Sequence, residues 1–385
     1  MMTAKNQTGL TKTFGNNSVD DFKSNEENHS IPKEKTITEI SKTGYFLLKK
    51  NRTEDAIDCF SKILMLDENN NYALVGMGDA YRKLGSISDA VKYYQRCLSS
   101  FPGNNYALFG LADCYKAMNQ YQKAIEIWEQ YLKFDDKNIT VLTRIADAYR
   151  KVRNFSSSNK IYQRVLEIEE DNAYAIIGLG HLHYDFKEYK KALFYLEKMY
   201  KDGNENLDIR VLTSIGNCHR KMKTFSEGIP FFETALGIDS ENFYALFGMA
   251  DCYRGLNCIE DAIVYYGLIL KCDPENKMIL TRMGDALRNL NKFDKAQEYY
   301  EKALDIEFDI YAVLGLALLL KLQGKFDEAV SSLKQLIIQD NSNFRLYTEL
   351  SDCYLKMGEQ KKALETLVDF QGVKNIKIKE MLESI

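Results

Sequence analysis

Residues 243–276 read FYALFGMADCYRGLNCIEDAIVYYGLILKCDPEN, and residues 105–138, NYALFGLADCYKAMNQYQKAIEIWEQYLKFDDKN, nearly repeat them 138 positions earlier. Each copy holds two amphipathic helical patterns parted by a polar break, which falls near Asn257 in the later copy. Leu246, Met249, Ala250 and Tyr253 recur at spacings of three and four, one stripe of a helix; Ala262, Tyr266, Ile269 and Leu270 form a second. Two short helices bury too little apolar surface to stand alone, so this unit predicts stacked neighbours on either side.

The neighbours are legible. Ten units fit at 37–70, 71–104, 105–138, 139–172, 173–206, 209–242, 243–276, 277–309, 310–343 and 344–377. The eighth position is small throughout, from Gly44, Gly78 and Ala112 to Ala317 and Ser351. The twentieth is Ala except for Ser158 and Gly228, and the twenty-fourth is bulky in every unit, including Phe60, Tyr94, Trp128, Tyr162, Phe232, Tyr266 and Tyr300. Small residues let paired helices touch, and the bulky one fills the space beyond them.

With these positions the chain resembles the tetratricopeptide repeat family, whose pattern has a period of about 34 residues. The resemblance covers ten units and implies an all-α fold, a right-handed superhelical solenoid of helical hairpins. It departs in places. The family's frequent Trp at position four is replaced by residues such as Leu108 and Leu246, and its proline near position 32 survives only as Pro102 and Pro274. Unit six adds Pro230, placed by the spacing in the first turn of its second helix.

Outside the repeats, residues 1–36 are rich in Asn, Ser, Lys, Asp and Glu without period, and are expected to be a disordered tail. At 374–385, Ile378, Met381, Leu382 and Ile385 share one helical side, as a capping helix over the last repeat should. The stretch 201–208, KDGNENLD, adds two residues between units five and six. The array is therefore expected to divide into 37–206 and 209–377, with its weakest junction there. A second period lies over the first. Five units open with Tyr-Ala and carry glycine at position six (Gly76, Gly110, Gly178, Gly248, Gly315), while three intervening ones begin VLTRIADAYR, VLTSIGNCHR and ILTRMGDALR. A helix-interior glycine costs about 1 kcal/mol relative to Ala, so something must approach the backbone there, a neighbouring helix before a ligand.

Net charge is −4, from 51 basic and 55 acidic residues, which speaks against bulk nucleic-acid or anionic-membrane binding. No apolar run nears the roughly 18 residues of a membrane span, and the N-terminus lacks the apolar core of a signal peptide. A cytoplasmic location is expected. Of eight cysteines, Cys114, Cys218, Cys252 and Cys353 hold one register position, at least a repeat apart, which predicts reduced, half-buried thiols.

The candidate site is the first-helix row. Acids at position nine are followed by bases at position twelve: Asp79/Arg82, Asp113/Lys116, Asp147/Arg150, Asp251/Arg254 and Asp285/Arg288. That spacing sets each pair on one helix face. The family resemblance implies that positions two, five, nine and twelve line a concave groove, which adds Tyr72, Tyr106, Tyr174 and Tyr244. Two readings stand: an ion-pair ladder holding helices in register, and a polar track gripping an extended peptide. In both, the acids stand in an open groove, and Tyr106, Arg150 and Asp251 are expected to be exposed. His183 and His219 occupy position eleven, where sister units have Tyr115 and Tyr253, and so read as packed aromatics rather than zinc ligands beside His181. No nucleotide loop, nucleophile elbow or Cys–His pair is present. The carboxylate clamp of the family needs Lys at position five and Asn at nine, where this chain has residues such as Val75, Phe109 and Thr143, and mostly Asp. The expectation is a non-catalytic interaction scaffold without cofactor or metal, taking a protein or peptide partner and neither nucleic acid nor membrane. The alternatives are a substrate-recruiting arm of an enzyme complex and a self-associating module.

Overall fold

The computed structural model describes residues 33–201 and 208–370. The expected tail as far as residue 32, residues 202–207 of the join and the expected cap at 374–385 lie outside the described residues. Among the described residues there are twenty α-helices and no strand, two helices to each of the ten repeats. The first helix of repeat one begins at Lys33, inside the segment assigned to the tail.

Local chemistry marks each boundary. An Asn closing one repeat caps the first helix of the next, its side-chain oxygen accepting the backbone N–H three residues on: Asn70 from Ala73, Asn104 from Ala107, Asn138 from Val141, Asn172 from Ala175, Asn242 from Ala245 and Asn276 from Ile279. Between the two helices of every hairpin, one residue takes a left-handed conformation. It is Gly85, Gly324 or Gly358 in three repeats, Asn51, Asn119, Asn257 or Asn291 in four, and Arg153, Lys187 or Lys223 in the remaining three. That residue is the polar break seen in the sequence.

The chain divides at Cys114 and Tyr115 into two compact units. In the first, Phe60 and Tyr94 are wholly buried. A methyl group at Gly44 of its own repeat or Gly76 of the next would overlap the Phe60 ring, and one at Gly78 or Gly110 would overlap Tyr94. The second unit repeats the device with Tyr162 against Gly178, Phe232 against Gly216 and Gly248, and Tyr300 against Gly284 and Gly315. The guest at each position-six glycine is thus an aromatic ring from the preceding repeat. These rings make the cores continuous: one buried cluster of the second unit runs from Leu246 through Tyr266, Met283 and Tyr300 to Leu319, across three repeats.

The departures from the repeat pattern are accommodated locally. Ser158, in an alanine position, donates to the Ala146 carbonyl at 2.8 Å, and Ser351 donates to Ala363 at 3.1 Å. The second helix of repeat six starts at Phe225, so Pro230 stands in its second turn rather than its first, on the exposed side. His183 stacks on Tyr195 with rings 6° from parallel and His219 on Phe231 at 12°, as Tyr253 stacks on Tyr265 at 13° in the next repeat. All eight cysteines are unpaired, and five are buried rather than half-buried. Burial pushes the Cys218 thiol up to about 12.

Candidate functional site

Tyrosines at position two are the most exposed part of the first-helix row. Tyr72 and Tyr106 stand on the first unit, and Tyr174, Tyr244 and Tyr311 on the second; Tyr106 is 79% exposed. Position two is the second residue of the first helix, and its side chain is exposed while residues at positions three and four, such as Ala107 and Leu108, fill the core.

The acids and bases are more deeply engaged than an open groove implies. Asp79 accepts from the Tyr94 hydroxyl at 2.7 Å and from Arg82 at 3.3 Å, and Arg82 also reaches Asp113 of the following repeat at 3.3 Å. In the second unit Asp147 accepts from Tyr162 at 2.7 Å and Arg150 at 3.4 Å, and Arg150 spans to Asp185 at 2.6 Å. Asp285 accepts from Tyr300 at 2.8 Å and Arg288 at 3.0 Å. Burial, and then the adjacent carboxylate, hold the phenols of Tyr94, Tyr162 and Tyr300 far above their usual range, so they remain donors. Lys116 is half-buried.

Two expectations are corrected here. Asp251 is buried, only 5% exposed, and Arg150 keeps little exposure because two carboxylates claim it. Asp251 is closed in from three directions. Arg220 of repeat six meets its Oδ2 at 2.6 Å, while Arg254 of its own repeat and Arg282 of repeat eight meet Oδ1 at 3.2 and 3.3 Å. Arg220 and Arg282 also lie over the Phe247 ring, 5.6 and 5.1 Å from its centroid. The i,i+3 pairs are therefore half of the arrangement; the other half runs between repeats. Neither Arg220 nor Arg282 was singled out from the sequence. A signal for them existed in the constant separation of 31 residues: Arg82 to Asp113, Arg220 to Asp251, Asp251 to Arg282. The ladder thus joins residues of neighbouring repeats as well as residues of one helix.

His181 takes the place of an acid at position nine, with its Nε2 3.2 Å from the Ser214 hydroxyl. Burial, then the charge of Arg150, push it below its usual range. Clefts are small: one of about 480 Å³ in the first unit is lined by Tyr45, Leu48, Asp79 and Arg82, and one of about 400 Å³ in the second by Phe243, Leu246, Ile269 and Cys272. Among the described residues no three His, Cys, Asp or Glu side chains converge as a metal site would need, and no helix is long and apolar enough to cross a membrane.

Two family models, both described as tetratricopeptide repeat, match the sequence, one over residues 83–143 and 320–369, the other over 209–242 and 279–310. The span 209–242 is the one the spacing assigns to unit six. No curated protein matches the chain. Among solved structures, a tetratricopeptide repeat protein from Parabacteroides merdae is 15% identical, with a TM-score of 0.54 over 66% of this chain and 99% of its own. That likeness is one of fold. PilF of Pseudomonas aeruginosa is 13% identical with a TM-score of 0.47, covering 55% of this chain and 96% of its own. MamA is 22% identical with a TM-score of 0.39, covering 44% and 92%.

Proposed function

This chain is a tetratricopeptide repeat protein, and from that premise we propose that its first-helix row binds an extended segment of a partner protein without chemistry of its own. Tetratricopeptide repeats mediate protein–protein interaction, and their fold is typically a non-catalytic scaffold. The observation that carries the finer reading is the exposed tyrosine at position two, found twice on the first unit and three times on the second. The core is filled without Tyr72, Tyr106, Tyr174, Tyr244 and Tyr311, yet each holds a large ring in water. Such rings offer flat contact area at low entropic cost, which suits them to a partner's chain rather than to this fold.

The ladder beneath them favours a segment of mixed composition. Its acids and bases are mostly matched to one another, so a strongly basic or strongly acidic chain would meet repulsion from half of the track. Contacts of this kind are weak one by one, so affinity rises with the length engaged and falls moderately with salt.

The structure changes the way this is tested. Arg150 and Asp251 hold repeats together, so their removal would confuse binding with folding. The informative variant is Tyr106→Ala/Tyr174→Ala/Tyr244→Ala/Tyr311→Ala, compared with Glu126→Ala/Glu233→Ala on exposed second-helix positions. Short peptides retained by the full chain from a displayed library serve as probes. The tyrosine variant should keep its helical circular dichroism and lose about tenfold or more in affinity, equivalent to about 1.4 kcal/mol, while the control stays at wild-type affinity. Equal binding by the tyrosine variant and wild type would place recognition elsewhere on the chain and end this reading.

A further inference from the structure

We propose that the arginine cluster around Asp251 is a receptor for one acidic side chain of the bound segment, the carboxylate of an Asp or Glu. The inference rests on the reading that the first-helix row binds an extended segment, and it names one residue class that the segment must carry.

The argument starts from charge. Asp147 and Asp285 each accept from one arginine of their own repeat and from one tyrosine hydroxyl. Asp251 instead faces three guanidinium groups, Arg220, Arg254 and Arg282, leaving two positive charges beyond what its carboxylate offsets. The three are not equally held. Arg220 lies at 2.6 Å and is mostly buried, whereas Arg254 and Arg282 lie at 3.2 and 3.3 Å and are 48% and 34% exposed. Charge-assisted hydrogen bonds between such groups run at about 2.7–2.9 Å, so the two exposed arginines are loosely engaged and have N–H donors to spare. Arg220 and Arg282 both lie over the Phe247 ring, 5.6 and 5.1 Å from its centroid, a contact that uses none of their N–H donors. A planar fork of donors matches a carboxylate.

A second observation points the same way. Tyr94, Tyr162 and Tyr300 donate to Oδ1 of the acid at position nine. Tyr266, at the same position and equally buried, makes no such bond to its acid; its hydroxyl faces the guanidinium groups of Arg282 and Arg254 instead. The Oδ1 it would use is occupied by Arg254 and Arg282. An incoming carboxylate that draws these two arginines away frees that oxygen, and the Tyr266 hydroxyl can then take it as its three counterparts do. Part of the loss at Asp251 is thereby offset within the protein. The sequence repeats the set once, as Arg82, Phe109, Asp113, Lys116 and Arg144, each 138 residues before its counterpart.

The test uses the full chain and a displayed library of short random peptides, selected in parallel on wild type, Arg254→Gln/Arg282→Gln and Arg254→Glu/Arg282→Glu. Arg220 and Asp251 are left in place, and circular dichroism checks that each variant is folded. Wild type should enrich Asp or Glu at one register of the retained peptides. The glutamine variant should retain peptides without that enrichment, and the charge-reversed variant should enrich Lys or Arg at the same register, which a purely structural role could not produce. A selected glutamate peptide should bind about tenfold more tightly than its glutamine counterpart. Tighter binding of the matching phosphoserine peptide would overturn the carboxylate in favour of a phosphoryl group. Retention of peptides by wild type with no acidic register would overturn this proposal while leaving the peptide-binding row standing. Retention of no peptide at all would end both.

Discussion

The junction between repeats seven and eight and the junction between eight and nine set a tyrosine at the same position and treat it differently. Tyr300 packs against Gly315 of the following repeat and donates to Asp285 at 2.8 Å. Tyr266 faces a repeat whose position six is Arg282, and its hydroxyl makes no bond to Asp251 because that arginine and Arg254 occupy the oxygen it would use. Both junctions are packed within one apolar cluster; at one a neutral donor is added to the packing, at the other a group of charges. Gly315 and Arg282, both at position six, therefore mark two ways of joining repeats. At the second, Arg254 and Arg282 remain partly exposed.

Four substitutions break or sharpen that contrast, read by urea unfolding together with hydrogen exchange localised to the repeats concerned, since each repeat leans chiefly on its neighbours. The largest effect is expected from Asp251→Ala. It strands three guanidinium groups, one of them mostly buried, and should cost about 3–5 kcal/mol with early exchange in repeats six to eight. A loss below about 1 kcal/mol would mean that the arginines are solvated well enough without it, and that this junction is held by its apolar packing alone.

Next comes Gly315→Ala. The added methyl overlaps the Tyr300 ring, which is wedged and cannot swing aside, so a loss of about 1–3 kcal/mol is expected in place of the usual gain from Gly to Ala in a helix. An increase in stability would show that the ring yields and that position-six glycine is not a packing requirement.

The smallest and most discriminating pair is Tyr300→Phe against Tyr266→Phe. Loss of the donor to Asp285 should cost about 1.5–3 kcal/mol, whereas removing the Tyr266 hydroxyl, which makes no bond to Asp251, should be neutral or slightly stabilising. Equal effects at both sites would show that Tyr266 is as well hydrogen-bonded in solution as Tyr300, and the contrast drawn above would fall.

The sequence alone determined the architecture. Spacing of small, bulky and apolar residues is a property of one chain segment read against itself, and a period repeated ten times leaves little room for another fold. That is why the hairpins, the polar break near Asn257 and the aromatic role of His183 and His219 were readable from the residues. Intra-helix pairs such as Asp285 and Arg288 were readable for the same reason, since i,i+3 neighbours meet on any helix. What the tertiary structure decided lies between repeats. Whether Asp251 is open or buried depends on Arg220 and Arg282, each 31 residues away and brought in only when helices stack. What fills the space beside Gly110 or Gly315 is likewise the ring of a different hairpin, Tyr94 or Tyr300. A local pattern records which face a residue lies on; only packing records what comes to meet it.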